Sequence, residues 1–316
     1  MRAIVARLDN EGDVLLAGPA IRAVAAGADH VTLLCGPRGA QAGALLPGVD
    51  EVVVRRAEWI DLIAPRVRRP DIEAYIDRLA AITADVAVLL TSWHQSPLPL
   101  ALLLRLAGVP RIAAISEDYP GSLLDVRHRD PGDVHEVHRG LSVAAALGFT
   151  LSPGDDDRLR ILPPPAPPPQ LELPERYVVV HPGCTVEARR WPASRFADVV
   201  TGLAAAGRDV VVTGAPSERM LTARVAAGGA LDAGGATTLA ELAAVLAGTD
   251  ALVVGNTGPA HLAAAVGTPV VSLFAPTVPR VRWHPWRVPH ELLWNVGTTE
   301  VLGAVERVTA RREVAA

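Results

Sequence analysis

Three turns in the second half of the chain combine the residue types that hold phosphate groups. Each follows a short apolar run, and they span residues 181–185 (HPGCT), 213–218 (TGAPSE) and 255–261 (GNTGPAH). The last turn contains two glycines, and a proline opens the helix after it, so free backbone N–H groups and the positive end of the helix dipole face an anion. Taken alone, this turn is equally compatible with an ordinary strand-to-helix connection. Together with Arg189 and Arg190, the three turns favour a nucleotide diphosphate as the ligand.

The sequence contains neither of two common phosphate-binding signatures. No G-x-G-x-x-G segment follows a predicted strand, and no G-x-x-x-x-G-K-[ST] segment occurs. The chain also has no lysine. Any cationic side chain that holds a phosphate here must therefore be arginine or histidine.

Length and composition are typical of a globular α/β protein with two domains. The chain has 316 residues, of which 50% are hydrophobic and 4% aromatic. Its net charge of −4 gives no reason to expect nucleic acid as a partner, or more than a peripheral membrane contact. Cys35 and Cys184 lie far apart, charge appears early at the N-terminus, and no apolar run is long enough to span a bilayer. These features predict a cytoplasmic protein.

The hydrophobic pattern alternates strands with helices in both halves, which favours doubly wound parallel sheets. In the first half, the predicted strands span residues 2–8, 30–35, 51–54, 86–90 and 111–115, and the helices span residues 14–26, 71–83, 97–107 and 133–147. In the second half, the strands span residues 177–180, 209–213, 251–254 and 270–274, and the helices span residues 194–206, 217–227, 239–247, 259–266 and 299–312. Residues 9–13 are predicted to form a turn, and residues 116–130 a polar loop.

A proline-rich segment separates the two halves. Residues 163–169 (PPPAPPP) are stiff and extended. We therefore predict domains at residues 1–162 and 175–316, joined by a linker at residues 163–174. Ligands of doubly wound sheets bind at the carboxyl ends of the strands, so a cleft between the domains is the expected site. The last helix is a candidate for packing back on the first domain.

Several segments together resemble glycosyltransferase family 9, whose best-known members are ADP-heptose:lipopolysaccharide heptosyltransferases. They are residues 12–16 (GDVLL) with Pro19, 181–183 (HPG), 189–192 (RRWP), 213–218, 256–262 (NTGPAHL), 267–269 (GTP) and 273–277 (LFAPT). The combination is specific and runs in order along nearly the whole chain. The resemblance implies a GT-B fold, in which two doubly wound domains face each other across a cleft. It also implies an N-terminal acceptor site, a C-terminal nucleotide-sugar site, and inversion at the anomeric carbon without a metal ion or other cofactor.

The resemblance assigns the role of general base to Asp13. An inverting transfer needs a carboxylate that takes the proton of the acceptor hydroxyl on the face opposite the leaving diphosphate. The alternative is that Asp13 only caps the helix predicted from residue 14. Asp9 and Glu11 share the predicted turn and are the alternative bases.

The donor site is assigned to the C-terminal domain. Its predicted residues are Thr185, Arg189, Arg190, Glu218, Thr237, Asn256, Thr257, Gly258 and His261. Thr185 and Arg189 match the family's hydroxyl and lysine and would offset charge on the departing diphosphate. The alternatives are a surface role for Arg189 and a helix-dipole role for Glu218, while His261 is assigned to binding rather than proton transfer. Asn256 stands where the family usually has aspartate, and asparagine also donates hydrogen bonds and carries no charge.

The first domain offers candidates for the acceptor side. They are Asp9, Asn10, Trp93, His94 and Arg127. Arg127 belongs to a group of basic residues (Arg127, His128, Arg129 and Arg139) that would bind an acceptor phosphate or, as we favour, form a basic loop.

Two further motifs are not predicted to bind metal. His135 and His138 are not spaced as in H-E-x-x-H. The run Asp155-Asp156-Asp157 lies beside the proline segment and is expected to be a solvated stretch.

The sequence thus favours an inverting, metal-independent transferase that moves a heptose-like sugar, with ADP-heptose as the first choice of donor, to a saccharide-type hydroxyl. The expected acceptor is a glycan, a glycolipid or a secondary metabolite. Two alternatives are a GT-B nucleotide-sugar epimerase and a non-catalytic two-domain ligand-binding protein.

Overall fold

The computed structural model describes residues 1–61, 63–92 and 94–315, with the side chains of residues 312–315 excepted. The chain divides into two compact units, Met1–Arg160 and Ile161–Ala316. Each unit contains one parallel sheet of six strands. Central strands such as Tyr177–His181 are buried at every residue, so both faces of these sheets are covered, which is why the strands are almost continuously apolar.

The first unit has the strand order β3-β2-β1-β4-β5-β6. Its strands are β1 Arg2–Arg7, β2 His30–Cys35, β3 Glu51–Val54, β4 Val86–Leu89, β5 Arg111–Ile115 and β6 Val126–His128. Its helices are α1 Glu11–Leu16, α2 Gly18–Ala25, α3 Ala40–Gly43, α4 Arg69–Ala81, α5 Leu98–Leu106 and α6 Glu136–Ala145. The order reverses between β1 and β4, where Ala6 pairs with Leu89. Residues that follow these two strands therefore meet at the point where doubly wound sheets bind ligands.

The second unit has the order β12-β11-β10-β7-β8-β9, which is the same topology. Its strands are β7 Tyr177–His181, β8 Asp209–Gly214, β9 Leu231–Gly234, β10 Ala251–Gly255, β11 Val270–Leu273 and β12 His290–Leu293. Its helices are α7 Ala193–Ala205, α8 Arg219–Ala226, α9 Leu239–Gly248, α10 Gly258–Ala265, α11 Arg280–Trp283 and α12 Thr298–Ala315. The switch point lies between β7 and β10, where His181 pairs with Val254.

The last helix, α12, belongs to the core of the second unit. Val301, Ala304, Val305 and Val308 are fully buried at helical spacing and join the apolar cluster over the sheet. Burial of each valine contributes about 1.5–3 kcal/mol. The helix packs on α7 and on β10, β11 and β12, while its expected contact with the first domain stays a prediction. None of the helices in the described part of the chain has the length and apolar character needed to cross a bilayer.

The structure contains three strands that the sequence pattern did not predict: β6, β9 and β12. Residues 116–130 were predicted as a loop, and β6 (Val126–His128) lies within them. All three are edge strands of their sheets. An edge strand is covered on fewer sides, so it needs no apolar run, and β6 contains a single apolar residue.

The predicted turn at residues 9–13 and helix at residues 14–26 were both wrong in detail. Helix α1 begins at Glu11 with Asn10 as its N-cap, and it ends at Leu16. A single residue, Ala17, separates it from α2. Pro19 explains the interruption because it has no N–H to donate to the carbonyl of Leu15. Asp13 is therefore a helical residue in the first turn of α1.

The two motifs considered for metal binding have structural partners. His135 is the N-cap of α6, and its Nδ1 accepts the N–H of Val137 at 3.2 Å. Asp155 was expected to be solvated, but its side chain is 11% exposed and it accepts two hydrogen bonds from Arg22, at 2.7 and 2.9 Å. These bonds lower the pKa of Asp155, so it is an anion in a structural ion pair.

Candidate active site

Arg7 is the centre of a buried charged cluster at the carboxyl end of β1. It is 4% exposed. Its Nη2 donates to Asp13 Oδ1 and to Ser92 Oγ, each at 2.9 Å. Its Nε lies 2.9 Å from Asp9 Oδ2, and its Nη1 lies 3.5 Å from Glu136 Oε2. Burial lowers the pKa of Arg7, but the three carboxylates outweigh it and the net shift is upward, so the guanidinium stays charged.

Asp13 presents one carboxylate oxygen to Arg7 and the other outward. Its side chain is 18% exposed. Among the described residues, Oδ2 of Asp13 accepts no hydrogen bond, whereas Oδ1 accepts from Arg7. Because α1 begins at Glu11, Asp13 is not the N-cap, and the prediction that it caps a helix from residue 14 is wrong. An oriented carboxylate with one open oxygen has the geometry of a general base.

Asp9, one of the two alternative bases, is less accessible for proton transfer than Asp13. Asp9 is 5% exposed, and both of its oxygens are used: Oδ1 accepts from Gln95, and Oδ2 accepts from Ser92 at 3.3 Å. Burial raises the pKa of Asp9, and the Asp13 carboxylate adds to this, while Arg7 opposes it. Glu11 opens α1, and Asn10 is the exposed N-cap before it.

A groove of about 180 Å³ lies at the carboxyl ends of β4 and β5. His94 and Gln95 line it, and Gln95 also binds Asp9, so the groove adjoins the charged cluster. Arg127 donates to the carbonyl of Ser116 at 2.9 Å and to that of Glu117, so it braces residues of the groove wall. Trp93 lies outside the residues that the structure describes.

In the second unit, the turn after β10 leads directly into the N-terminus of α10. Asn256 is 4% exposed. Thr257 is the extended N-cap of α10, and its hydroxyl makes no cap bond within the described structure. Gly258 then starts the helix, and His261 lies one turn inside it, 4% exposed. The hydroxyl of Thr257 and the helix N-terminus together suit a phosphate.

The loop after β7 brings the backbone of Arg189 near this turn. A Cβ placed on Gly255 would lie 3.8 Å from the Arg189 carbonyl, so this carbonyl lies close to the end of β10. Arg190 donates to the carbonyl of Cys184 at 3.0 Å and thereby holds the loop. The Nε of Arg189 is buried without an acceptor among the described residues. Arg189 thus has a buried donor that a ligand could engage, and Thr185, earlier in the same loop, is exposed.

Glu218 contacts two of the predicted loops, the one after β7 and the one after β8. It accepts the N–H of Ala215 at 2.9 Å, and a Cβ on Gly183 would collide with its carboxylate, so only glycine permits this contact. His181 Nδ1 and Thr213 Oγ1 are 3.0 Å apart beneath it. Burial lowers the pKa of His181 to about 4 against the opposing effect of Glu218, so the imidazole is neutral at pH 7.

Thr237 lies in the loop after β9. It is half-buried and precedes Thr238, the N-cap of α9. Thr238 forms a capping box with Glu241, in which the Thr238 N–H donates to the carboxylate at 2.7 Å and the Glu241 N–H donates to the hydroxyl at 3.3 Å. Thr238 rather than Thr237 therefore caps α9, and the donor role of Thr237 stays a prediction.

The structure thus groups the predicted residues by unit. Asp9 and Asp13 share the cluster of the first unit, and Arg189 packs by the phosphate turn of the second. No sequence motif pointed to Arg7, Ser92, Gln95 or Glu136 as members of the first cluster. Arg139, which the sequence grouped with the basic residues 127–129, lies 4.0 Å from Glu136. The sequence does carry one signal that could have identified Arg7, which is a charged residue at the end of an apolar strand. Across the described ranges, no three His, Cys, Asp or Glu side chains are grouped so that they could hold a metal ion.

Comparison with known proteins identifies the family. A sequence profile of glycosyltransferase family 9 (heptosyltransferase) matches residues 74–307. The chain belongs to this family. It is similar to lipopolysaccharide heptosyltransferase 3 of Escherichia coli, with 32% identity over 118 residues, which are 35% of this chain and 34% of the relative. Lipopolysaccharide heptosyltransferase 1 of Pseudomonas aeruginosa is 28% identical over 298 residues, 88% of this chain and 80% of the relative. The match to the E. coli relative therefore spans about a third of that protein.

Solved structures share the fold along the whole chain. The E. coli ADP-heptose lipopolysaccharide heptosyltransferase II aligns with a TM-score of 0.77 at 19% identity and covers 99% of this chain and 100% of its own. An E. coli heptosyltransferase with ADP-2-deoxy-2-fluoro heptose aligns at 0.73 with 20% identity and full coverage of both chains, 100% each. A UDP-GlcNAc 2-epimerase from Methanocaldococcus jannaschii aligns at only 0.51 with 11% identity, over 98% of this chain and 93% of its own. The predicted GT-B fold is confirmed.

Proposed function

We propose that the protein is an inverting glycosyltransferase that moves a heptose-like sugar from ADP-heptose to a saccharide-type hydroxyl, without a metal ion or other cofactor. Membership of family 9 supports the transfer of a sugar. ADP-heptose is the donor named for a solved structure of the same fold.

The Asp13 carboxylate is the observation that carries the mechanism. Its Oδ1 is held by Arg7 and its Oδ2 is open among the described residues. Oδ2 takes the proton of the acceptor hydroxyl, and the oxygen attacks the anomeric carbon of the donor. The bond from that carbon to the diphosphate oxygen breaks, and the diphosphate leaves with the electron pair. Attack from the opposite face inverts the anomeric centre.

Residues of the second unit would bind the donor and offset the charge of the leaving diphosphate. Thr257 and the N-terminus of α10 offer a hydroxyl and backbone N–H groups. Arg189 adds a guanidinium whose Nε has no acceptor among the described residues. Charge that develops on the diphosphate is the main electrostatic demand of glycosidic bond cleavage, and fixed donors meet it without reorganisation. Glu218, Thr237 and His261 complete the proposed donor site, and Asn256 would contact the sugar through an amide.

The groove of about 180 Å³ is the proposed acceptor site. His94 and Gln95 line it, and Gln95 also binds Asp9 of the Arg7 cluster. Ser116, Glu117 and Asp118 line it as well. Hydroxyl, amide and carboxylate groups suit the hydroxyls of a saccharide, which is compatible with a glycan, a glycolipid or a glycosylated secondary metabolite.

A nucleotide screen and product analysis separate the alternatives. A protein that binds neither ADP, UDP nor GDP in a thermal-shift assay would not use a nucleotide sugar at all. An epimerase would convert the nucleotide sugar without an acceptor and release no glycoside. The transferase is expected to bind ADP and to release ADP from ADP-heptose when one of a panel of saccharides is added.

The Asp13→Asn variant tests the base. Asparagine keeps the shape and loses the basicity, so the transfer rate should fall by about 10²–10⁴-fold, the usual contribution of a general base. The dissociation constant for ADP should not change, because Asp13 lies in the first unit. The rates are measured as ADP release in the presence of EDTA.

Two results would contradict the mechanism. An Asp13→Asn variant that keeps more than about a tenth of the rate moves the base role to Asp9 or Glu11. Turnover that EDTA abolishes and magnesium or manganese restores shows that the reaction needs a metal ion.

A further inference from the structure

We infer that Arg7 is a positioning residue for the reaction, which orients the Asp13 carboxylate through one nitrogen of its guanidinium. The inference rests on the proposed role of Asp13 as the base. Arg7 itself is 4% exposed and is the last residue of β1. It touches neither donor nor acceptor in this scheme.

Each nitrogen of the Arg7 guanidinium faces a carboxylate, although only Nη1 and Nη2 make hydrogen bonds and the contact of Nε is an ion pair alone. Nε faces Asp9 Oδ2 at 2.9 Å, and Nη1 faces Glu136 Oε2 at 3.5 Å. Nη2 is left for Asp13 Oδ1 and Ser92 Oγ, both at 2.9 Å. Carboxylates face the planar guanidinium at all three nitrogens, and Nη2 also bonds Ser92, so the direction of its bond to Asp13 is set by the rest of the cluster.

The partners of Arg7 come from separate parts of the fold. Asp9 follows β1, Ser92 follows β4, and Glu136 begins α6. The side chains of Asp9 and Glu136 are 6% and 2% exposed, and Ser92 as a whole residue is 5% exposed. Ser92 also donates to Asp9 at 3.3 Å, which links two of these anchors directly. Asp13, at 18%, is the most exposed acid of the cluster. The buried anchors therefore hold Arg7, and Arg7 holds the one carboxylate that reaches the surface.

A purely structural role is the competing interpretation. In that case Arg7 only neutralises Asp9 and Glu136, and its replacement destabilises the unit without acting on Asp13. The two roles differ in one respect: a positioning residue loses its effect on the rate when Asp13 can no longer act as a base.

Arg7→Lys is the principal variant. Lysine keeps the charge but offers a single nitrogen, so it cannot serve Asp9, Glu136 and Asp13 in fixed directions. The kcat for ADP release from ADP-heptose is expected to fall by about 10–100-fold, because small misplacements of reacting groups cost this much. The reaction uses the saccharide found in the acceptor panel, or water if no saccharide accelerates release. KM for ADP-heptose and the calorimetric dissociation constant for ADP should stay within about twofold.

Arg22→Lys is the matched control. Arg22 donates to both oxygens of Asp155, at 2.7 and 2.9 Å, and its side chain is 10% exposed. The substitution makes the same chemical change in a buried arginine–aspartate pair of the same unit, away from Asp13. It should lower the melting temperature to a similar extent and leave kcat unchanged.

The double variant Arg7→Lys/Asp13→Asn decides between the two roles. If Arg7 acts through Asp13, the double variant has the same kcat as Asp13→Asn alone, within about threefold. A full multiplication of the two losses overturns the inference, and so does an Arg7→Lys variant with normal kcat. If Arg7→Lys does not fold, Ser92→Ala replaces it: loss of this anchor should lower kcat by about 3–10-fold, and an unchanged kcat is contrary to the inference.

Failure of the proposed function and failure of the proposed role of Arg7 give different experimental results. An active Asp13→Asn variant removes the proposed base itself. An inactive Asp13→Asn variant together with a fully active Arg7→Lys variant keeps the proposed function and rejects only the role of Arg7.

Discussion

In the proposed donor site, Arg189 is the residue whose loss we expect to weaken donor binding most directly. Its Nε is buried without an acceptor among the described residues, whereas Arg190 already binds the carbonyl of Cys184. A buried donor without a partner costs free energy, which a diphosphate oxygen would recover.

The Arg189→Ala variant should therefore bind ADP more weakly. A hydrogen bond to a charged group contributes about 1.5–3 kcal/mol, which corresponds to about a 10–100-fold higher dissociation constant. Isothermal titration calorimetry measures it. Arg224→Ala removes an exposed arginine from the last turn of α8 and should leave the dissociation constant unchanged. Equal affinities for ADP in the two variants would exclude Arg189 from the donor site.

The sequence predicted Asp13 as the base but did not indicate the side chains that contact it. Gly12 and Asp13 form a local motif that is recognisable in the sequence alone. Arg7 and Glu136 are 129 residues apart, and Arg7 and Ser92 are 85 apart. Such pairs depend on strand order and helix packing, which no spacing in one sequence specifies. The role of Arg189 could be proposed from its motif, but its unpaired Nε is visible only in the fold.

At the level of elements, the central strands were predictable, whereas of the four edge strands only β3, which contains the apolar run of residues 52–54, was predicted. β1, β7 and β10 are apolar along their length because both faces of the sheet are covered. β9 (LDAG) and β12 (HELL) lie at the two edges of their sheet and carry mixed residues. Their pairing follows from a partner strand, since Val211 pairs with Leu231 and Val270 with His290. A local pattern cannot supply this information.

The end of β7 makes the stability of the second unit depend on pH. Burial lowers the pKa of His181 to about 4, below its ordinary value of 6.5. The unfolded chain therefore binds more protons between these values, and stability is complete above about pH 6.5 and falls as the pH drops toward 4. The difference corresponds to about 3 kcal/mol at most. His284 adds to the effect, since burial and the neighbouring His290 lower its pKa to about 4 as well.

The His181→Gln variant should lose part of this pH dependence. Its free energy of unfolding, measured in urea at pH 7 and pH 4.5, should change less than that of the wild-type protein, because glutamine has no proton to gain. His138→Gln is the control, since the His138 side chain is 49% exposed, and it should keep the wild-type difference. Identical differences for His181→Gln and the wild type would show that His181 is not the group that titrates.

At the level of the whole molecule, the two units have the same strand order, and each carries a different part of the proposed active site. The first carries Asp13 and the groove, and the second carries the phosphate turn and Arg189. Each sheet has its own apolar cluster: one core runs from Ile4 to Leu124 and the other from Val178 to Val308. A unit with a complete core is expected to fold by itself.

A fragment of residues 161–316 should therefore fold and bind ADP. All proposed donor residues lie within it, so its dissociation constant should match that of the full chain within about threefold, equivalent to less than 1 kcal/mol. Cooperative thermal unfolding establishes the fold, and calorimetry measures the affinity. The matched fragment of residues 1–160 should fold without binding ADP, and Arg189→Ala should weaken ADP binding by the same factor in the fragment as in the full chain. A folded 161–316 fragment with no measurable affinity would mean that residues of the first unit complete the donor site.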